Sequence, residues 1–251
     1  MDRDFRQGHL EIDFPTEPFH SAFRLLVRSA VLYFASLRFL AAITLLVYLP
    51  AKLALQLVLY VLDVPTGGMV TYLVLDSSDL VLSALVIPAV VFGLVARFRS
   101  GQIASVRESL RWGRRQWGKT LWNMFKVEVT VALWGALLVI PGVVAMVRLI
   151  FADVIVAIEA DRETEVLARS RQLAKGHGWR IFLVLLPLMA ASLVGTFLIL
   201  GACEGAAYSR VVMALADSVL SVGGQFTTVA VLLMYLGVLR PDTPAKIHNA
   251  T

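Results

Sequence analysis

RFRSGQIASVRESLRWGRRQWGK, residues 97–119, places seven Arg and Lys in 23 positions between two long apolar runs. The same alternation extends in both directions. The chain up to Arg38 carries five basic residues, residues 162–180 carry five, and the tail adds Arg240 and Lys246. Nineteen of the 23 basic residues therefore sit in four segments, with apolar runs between them. Alternate loops rich in Arg and Lys mark a polytopic membrane protein, because cations are retained on the cytoplasmic side. Both termini are expected in the cytoplasm. The opposite loops hold only Arg210, and Lys52, Lys126 and Arg148 lie inside the apolar runs.

Composition agrees. The 251 residues are 58% hydrophobic and 16% charged, with mean hydropathy +0.76; a soluble domain carries about a quarter charged residues. The pI near 9.6 does not point to nucleic acid, because the cations flank apolar spans. Anionic phospholipids are the expected counter-charge. One cysteine, Cys203, excludes an internal disulfide and a thiolate cluster. His9, His20, His177 and His248 are scattered outside the spans, so no metal or cofactor is expected. Residues 1–19 lack the apolar core of a signal peptide and read as a cytoplasmic lead-in.

A crossing helix needs about 20 mostly apolar residues. Six stretches qualify, near 39–62, 79–97, 119–140, 142–160, 180–200 and 214–239. Arg38 and Lys52 leave only 13 residues between them, roughly 20 Å of helix, so Lys52 is expected to snorkel through the outer leaflet. Residues 20–36, 102–117 and 163–176 read as amphipathic helices lying in the interface. In the first, Phe23, Leu26, Val27, Ala30 and Phe34 share a face; in the last, Val166, Leu167, Leu173 and Ala174 do. Ser29, Ser109 and Ser170 sit near the three centres. The expected fold is all-α and integral to the membrane: six transmembrane helices as three hairpins, each preceded by a cytoplasmic interfacial helix. The units cover about 20–97, 102–160 and 163–239 of one domain, 20–240, and residues 241–251 form a cytoplasmic tail.

Residues 135–186 read GALLVIPGVVAMVRLIFADVIVAIEADRETEVLARSRQLAKGHGWRIFLVLL. Pro141-Gly142, Arg148, Glu159, Ser170, Leu173, Lys175-Gly176 and Trp179-Arg180 form a pattern that resembles the membrane domain of some bacterial glycerophosphodiester phosphodiesterases and its stand-alone prokaryotic relatives. The resemblance implies a six-helix fold in a prokaryotic plasma (inner) membrane and some dealing with phospholipids or their headgroups. It implies no phosphodiesterase activity, because that chemistry belongs to a separate barrel for which this chain has no room.

Ionisable side chains inside a span raise a functional question. Taking Pro141-Gly142 as the turn, Glu128 and Asp153 lie at matching depths. A Lys126–Asp153 pair is expected, with Glu128 reaching Arg148 or another span; a proton or ion relay and an ion pair that fixes register both remain open. Asp217, Ser221, Gly224 or Gln225, and Thr228 line one side of the last span, and Lys52 lies at a depth to meet Asp217. At the inner surface Arg107, Arg111, Arg114, Arg115, Arg169, Lys175 and Arg180 are candidates for binding headgroups, with Trp112, Trp117, Trp122 and Trp179 as an aromatic belt. No histidine–acid–nucleophile set, HExxH, P-loop or paired-cysteine motif occurs, so no catalytic residue is expected. The leading expectation is a non-enzymatic membrane protein, a lipid-associated scaffold or the membrane component of a larger system with a membrane or cytoplasmic protein partner. The alternative is a small-molecule or lipid carrier of flippase type, and a lipid-processing enzyme stands third.

Overall fold

A computed structural model describes residues 22–64, 69–159, 166–203 and 209–239. The N-terminal lead-in, the C-terminal tail, Arg162, Glu163 and Glu165 lie outside the described residues. Every described element is an α-helix: α1 Ala22–Ala35, α2 Leu37–Val61, α3 Met69–Ser100, α4 Val106–Leu137, α5 Val139–Leu149, α6 Ala152–Ile158, α7 Val166–Ala174, α8 Gly178–Cys203 and α9 Ser209–Leu239. Among the described residues, five helical stretches are long and apolar enough to cross a membrane: Leu37–Val61, Leu73–Ser100, Val139–Ile158, Gly178–Leu198 and Arg210–Val238.

The expected third span, 119–140, is not among the five, and the interfacial helix expected before it is not a separate element. Residues 106–137 form one continuous helix, about 48 Å long. Ser105 starts it with a capping box: its hydroxyl accepts from Glu108 N–H, and the Glu108 carboxylate accepts from Ser105 N–H. No proline interrupts the run, so nothing divides a surface helix from a span. α4 packs antiparallel along α3. Trp112 stacks on Phe92 at 5.4 Å, and Trp117 Nε1 donates to Val81 O at 3.0 Å.

The core gathers where α3, α6 and α9 meet. Val86–Ala96 of α3, Phe151–Ile158 and Val229–Val238 supply most of its buried apolar residues. Trp112, expected in the aromatic belt, belongs to this core instead. It is buried, and its Nε1 donates to Ala157 O at 3.2 Å. The apolar face of α7 is also turned inward, with Val166, Leu173 and Ala174 buried against the bundle and not among acyl chains. By contrast, Phe23, Val27, Val31 and Phe34 of α1 are exposed along one stripe, as are Leu186, Leu193, Val194 and Phe197 of α8. Such faces suit lipid, where apolar exposure carries no hydrophobic penalty. The three central serines, Ser29, Ser109 and Ser170, are all fully buried.

The α4–α5 link is shorter than the sequence suggested. Leu138 alone, in extended conformation, separates the helices, and Pro141-Gly142 lies inside the first turn of α5. Leu138 N–H donates to Trp134 O, Gly142 N–H donates to Leu138 O, and Pro141 has no N–H to leave unmet. A Cβ on Gly142 would stand 2.7 Å from Gly135 Cα, so the two arms touch backbone to backbone there.

Candidate functional site

Two polar assemblies stand out, one at the α5–α7–α8 junction and one within α2, α3 and α9. The first is a groove of about 920 Å³. Val139, Val143, Val144 and Val147 line it from one face of α5, and Trp179 and Phe182 from the start of α8. Its polar end is made by Arg148, Arg171, Gln172 and Lys175. The local sequence explains the shape. Ser170 Oγ donates to Arg148 O at 2.9 Å, which pins α7 to the lower end of α5. Gly176 then adopts φ +85°, a left-handed conformation open to glycine, and the chain turns at once into α8. Lys175 and Trp179 thereby both line the groove. Among the described residues, Arg148, Arg171 and Lys175 form no ion pair, and no acidic residue lines the groove. The groove thus sets an apolar lining beside three cations.

Of the seven residues expected to meet headgroups, only Lys175 lines this groove. Arg107, Arg111, Arg114 and Arg115 are exposed along α4, Arg180 is exposed at the start of α8, and Arg169 lies 4.0 Å from Glu159. Glu159 also accepts from the Tyr235 hydroxyl at 2.7 Å. Sequence reasoning missed Arg171 and placed Arg148 among the intramembrane polar residues, apart from the headgroup candidates. The i, i+4 spacing of Arg171 and Lys175 was the available signal, and the convergence with Arg148 was not.

The second assembly centres on Lys52. Its side chain is fully buried and does not snorkel. Nζ stands 2.6 Å from Asp79 Oδ1 and 2.8 Å from Asp217 Oδ2. The Lys52–Asp217 contact was anticipated from depth; Asp79, at the edge of an expected span, was not. Thr44, Tyr48, Lys52 and Gln56 recur every four residues and are all buried, so they form one polar ladder on the inner face of α2. Ser221 and Gln225 belong to the stripe on α9; Ser221 Oγ donates to Asp217 O, and Gln225 is buried with Oε1 unpartnered.

The Lys126–Asp153 and Glu128–Arg148 pairs are absent. Lys126 Nζ sits 5.1 Å over the Trp122 ring, a cation–π contact. Asn123 and Glu128 are the polar side chains that bear on Asp153, whose Oδ1 is buried without a hydrogen bond. The reason is register. The turn is at Leu138, not at Pro141-Gly142, and Asn123 and Asp153 each lie 15 positions from Leu138. Within the described residues, no group of three or more His, Cys, Asp and Glu could hold a metal ion.

Comparison with known protein families, with characterised proteins and with solved structures finds no match to this chain. The fold and the two assemblies therefore carry the functional argument alone.

Proposed function

We propose that this chain is a non-enzymatic multi-pass protein of a prokaryotic plasma membrane that holds an anionic phospholipid in the α5–α7–α8 groove. In that role it is a lipid-associated scaffold, or the membrane component of a larger assembly. The groove carries the reading: an apolar wall on α5 and α8 for acyl chains, and Arg148, Arg171 and Lys175 around the headgroup phosphate. The positive-inside bias puts the basic end of the groove, and both termini, at the cytoplasmic face. α4 supplies a sixth membrane helix in this reading, because it lies antiparallel beside the apolar α3. The Lys52 cluster favours a second reading, a carrier, since ionisable groups inside a membrane bundle commonly mark a path for ions or substrate.

Native mass spectrometry of gently extracted protein tests the first reading. Near an anionic lipid surface each basic residue contributes on the order of 1 kcal/mol. Replacing Arg148, Arg171 and Lys175 together by Gln should therefore weaken anionic-lipid retention by about 3 kcal/mol, roughly 100-fold. The same replacement of Arg107, Arg111 and Arg114 should leave the retained lipid in place. A wild-type protein that carries no phospholipid, or a groove variant that keeps its anionic lipid, overturns the reading.

A further inference from the structure

We propose that Lys52, Asp79 and Asp217 form a binding site for one exchangeable proton, shared between the two carboxylates. The inference is independent of the lipid groove. Three helices build the site: α2 gives Lys52, α3 gives Asp79 and α9 gives Asp217. Measured from Val61, Met69 and Ser209, the cluster lies roughly 12–15 Å down each helix. One ammonium faces two carboxylates, so the ionised cluster carries a net charge of −1. An unbalanced charge shared by a fully buried ammonium and two partly exposed carboxylates is costly, and one added proton makes the cluster neutral.

Among the described residues, the surroundings do not supply the missing positive charge. Arg210, on α9, donates to Val64 O and lies over Tyr60. Asp76, on α3, adds further negative charge. From α4, Lys126 is over Trp122, and Asp153 of α6 faces Asn123 and Glu128. Tyr33 of α1 donates to Val222 O. Ser83 donates to Asp79 O and Ser221 to Asp217 O, both on their own helix backbones, and the buried Tyr48 phenol of α2, which faces Ser83 and both carboxylates, brings no positive charge.

Access and occupant follow from the same geometry. Lys52 is sealed, whereas the Asp79 and Asp217 side chains remain 41% and 30% exposed, so a proton reaches the carboxylates without unpacking the lysine. Gln56 is buried one turn from Lys52 with its Oε1 unpartnered, and Thr44 Oγ1 is likewise buried and unpartnered two turns the other way. Buried polar atoms of this kind are commonly met by ordered water, and they continue the site along α2. Two carboxylates are few ligands for a metal cation, and a proton needs no shell.

Infrared difference spectra of the full-length protein in lipid nanodiscs, between alkaline and mildly acidic buffer, test the proposal. Wild type should show one protonated-carboxyl band from this cluster. Asp79→Asn and Asp217→Asn should each abolish the whole band, because either leaves a neutral Lys–Asp pair. Lys52→Met should raise the count to two. The Asn variants keep a balanced ion pair and are expected to fold, so the decision does not depend on Lys52→Met. A spectrum unchanged by both Asn variants overturns the proposal. So does a separate, additive loss from each, or displacement of the band by sodium at constant pH.

Discussion

Replacing Trp112 by Ala separates the structure from the sequence pattern more sharply than any other single change. A tryptophan in an interfacial belt tolerates truncation with little loss of stability. Trp112 is instead 5% exposed, stacks on Phe92 with rings 24° apart, and donates to Ala157 O. Truncation removes the indole from a site walled by α3 and α6 and leaves a buried carbonyl unmet. Large-to-small changes of this kind cost about 3–5 kcal/mol. For a chain of this size each kcal/mol lowers Tm by about 2–4 °C, so Trp112→Ala should lower it by roughly 6–20 °C. Trp122 is the internal control. It is 59% exposed on the same helix, and its contact with Lys126 is worth at most about 1 kcal/mol. Thermal unfolding in detergent, followed by circular dichroism at 222 nm (the usual helix band, about that wavelength), reads both. Equal shifts for the two variants would refute the burial of Trp112 and the placing of the first half of α4 against α3 and α6.

Two further outcomes follow from the helix contacts. Gly142→Val should force the α4 and α5 backbones apart at Gly135 and cost about 1–3 kcal/mol, whereas Gly118→Ala, which meets nothing within 4 Å, should be neutral or stabilising by up to about 1 kcal/mol; the same melts compare them. Ser105→Ala should remove the cap of α4 at a cost of about 1 kcal/mol, seen as faster amide exchange confined to the first turn of α4.

The amphipathic patterns were read correctly as helices but not always assigned the right surroundings. Val166, Leu173 and Ala174 do share a face on α7, yet that face meets α5 and α6 and not lipid, because Ser170 is held by the Arg148 carbonyl. Periodicity reports that a face is apolar; it does not report whether lipid or protein covers it. The same limit applies to Trp112, whose neighbours in sequence, Arg111 and Arg114, are exposed as expected. Depth arithmetic placed Lys52 opposite Asp217, and the contact is made although Pro50 lies inside α2 two residues before Lys52. It failed for Lys126 and Asp153 because the turn lies three residues earlier than Pro141, at the extended Leu138. Moving a turn by three residues shifts the facing position on the other arm by about six, roughly 9 Å of helix.

By itself the sequence determined that this is an all-helical chain with several spans able to cross a membrane, since apolar length and charge spacing are local properties that any tertiary arrangement inherits. The tertiary structure alone decided which charges meet. Lys52 takes two partners from helices distant in sequence, and Arg148, Arg171 and Lys175 converge on one groove because a buried serine and a left-handed glycine fold α7 back onto α5. Those contacts depend on helix rotation and on the position of a single turn residue, which composition and hydropathy do not encode.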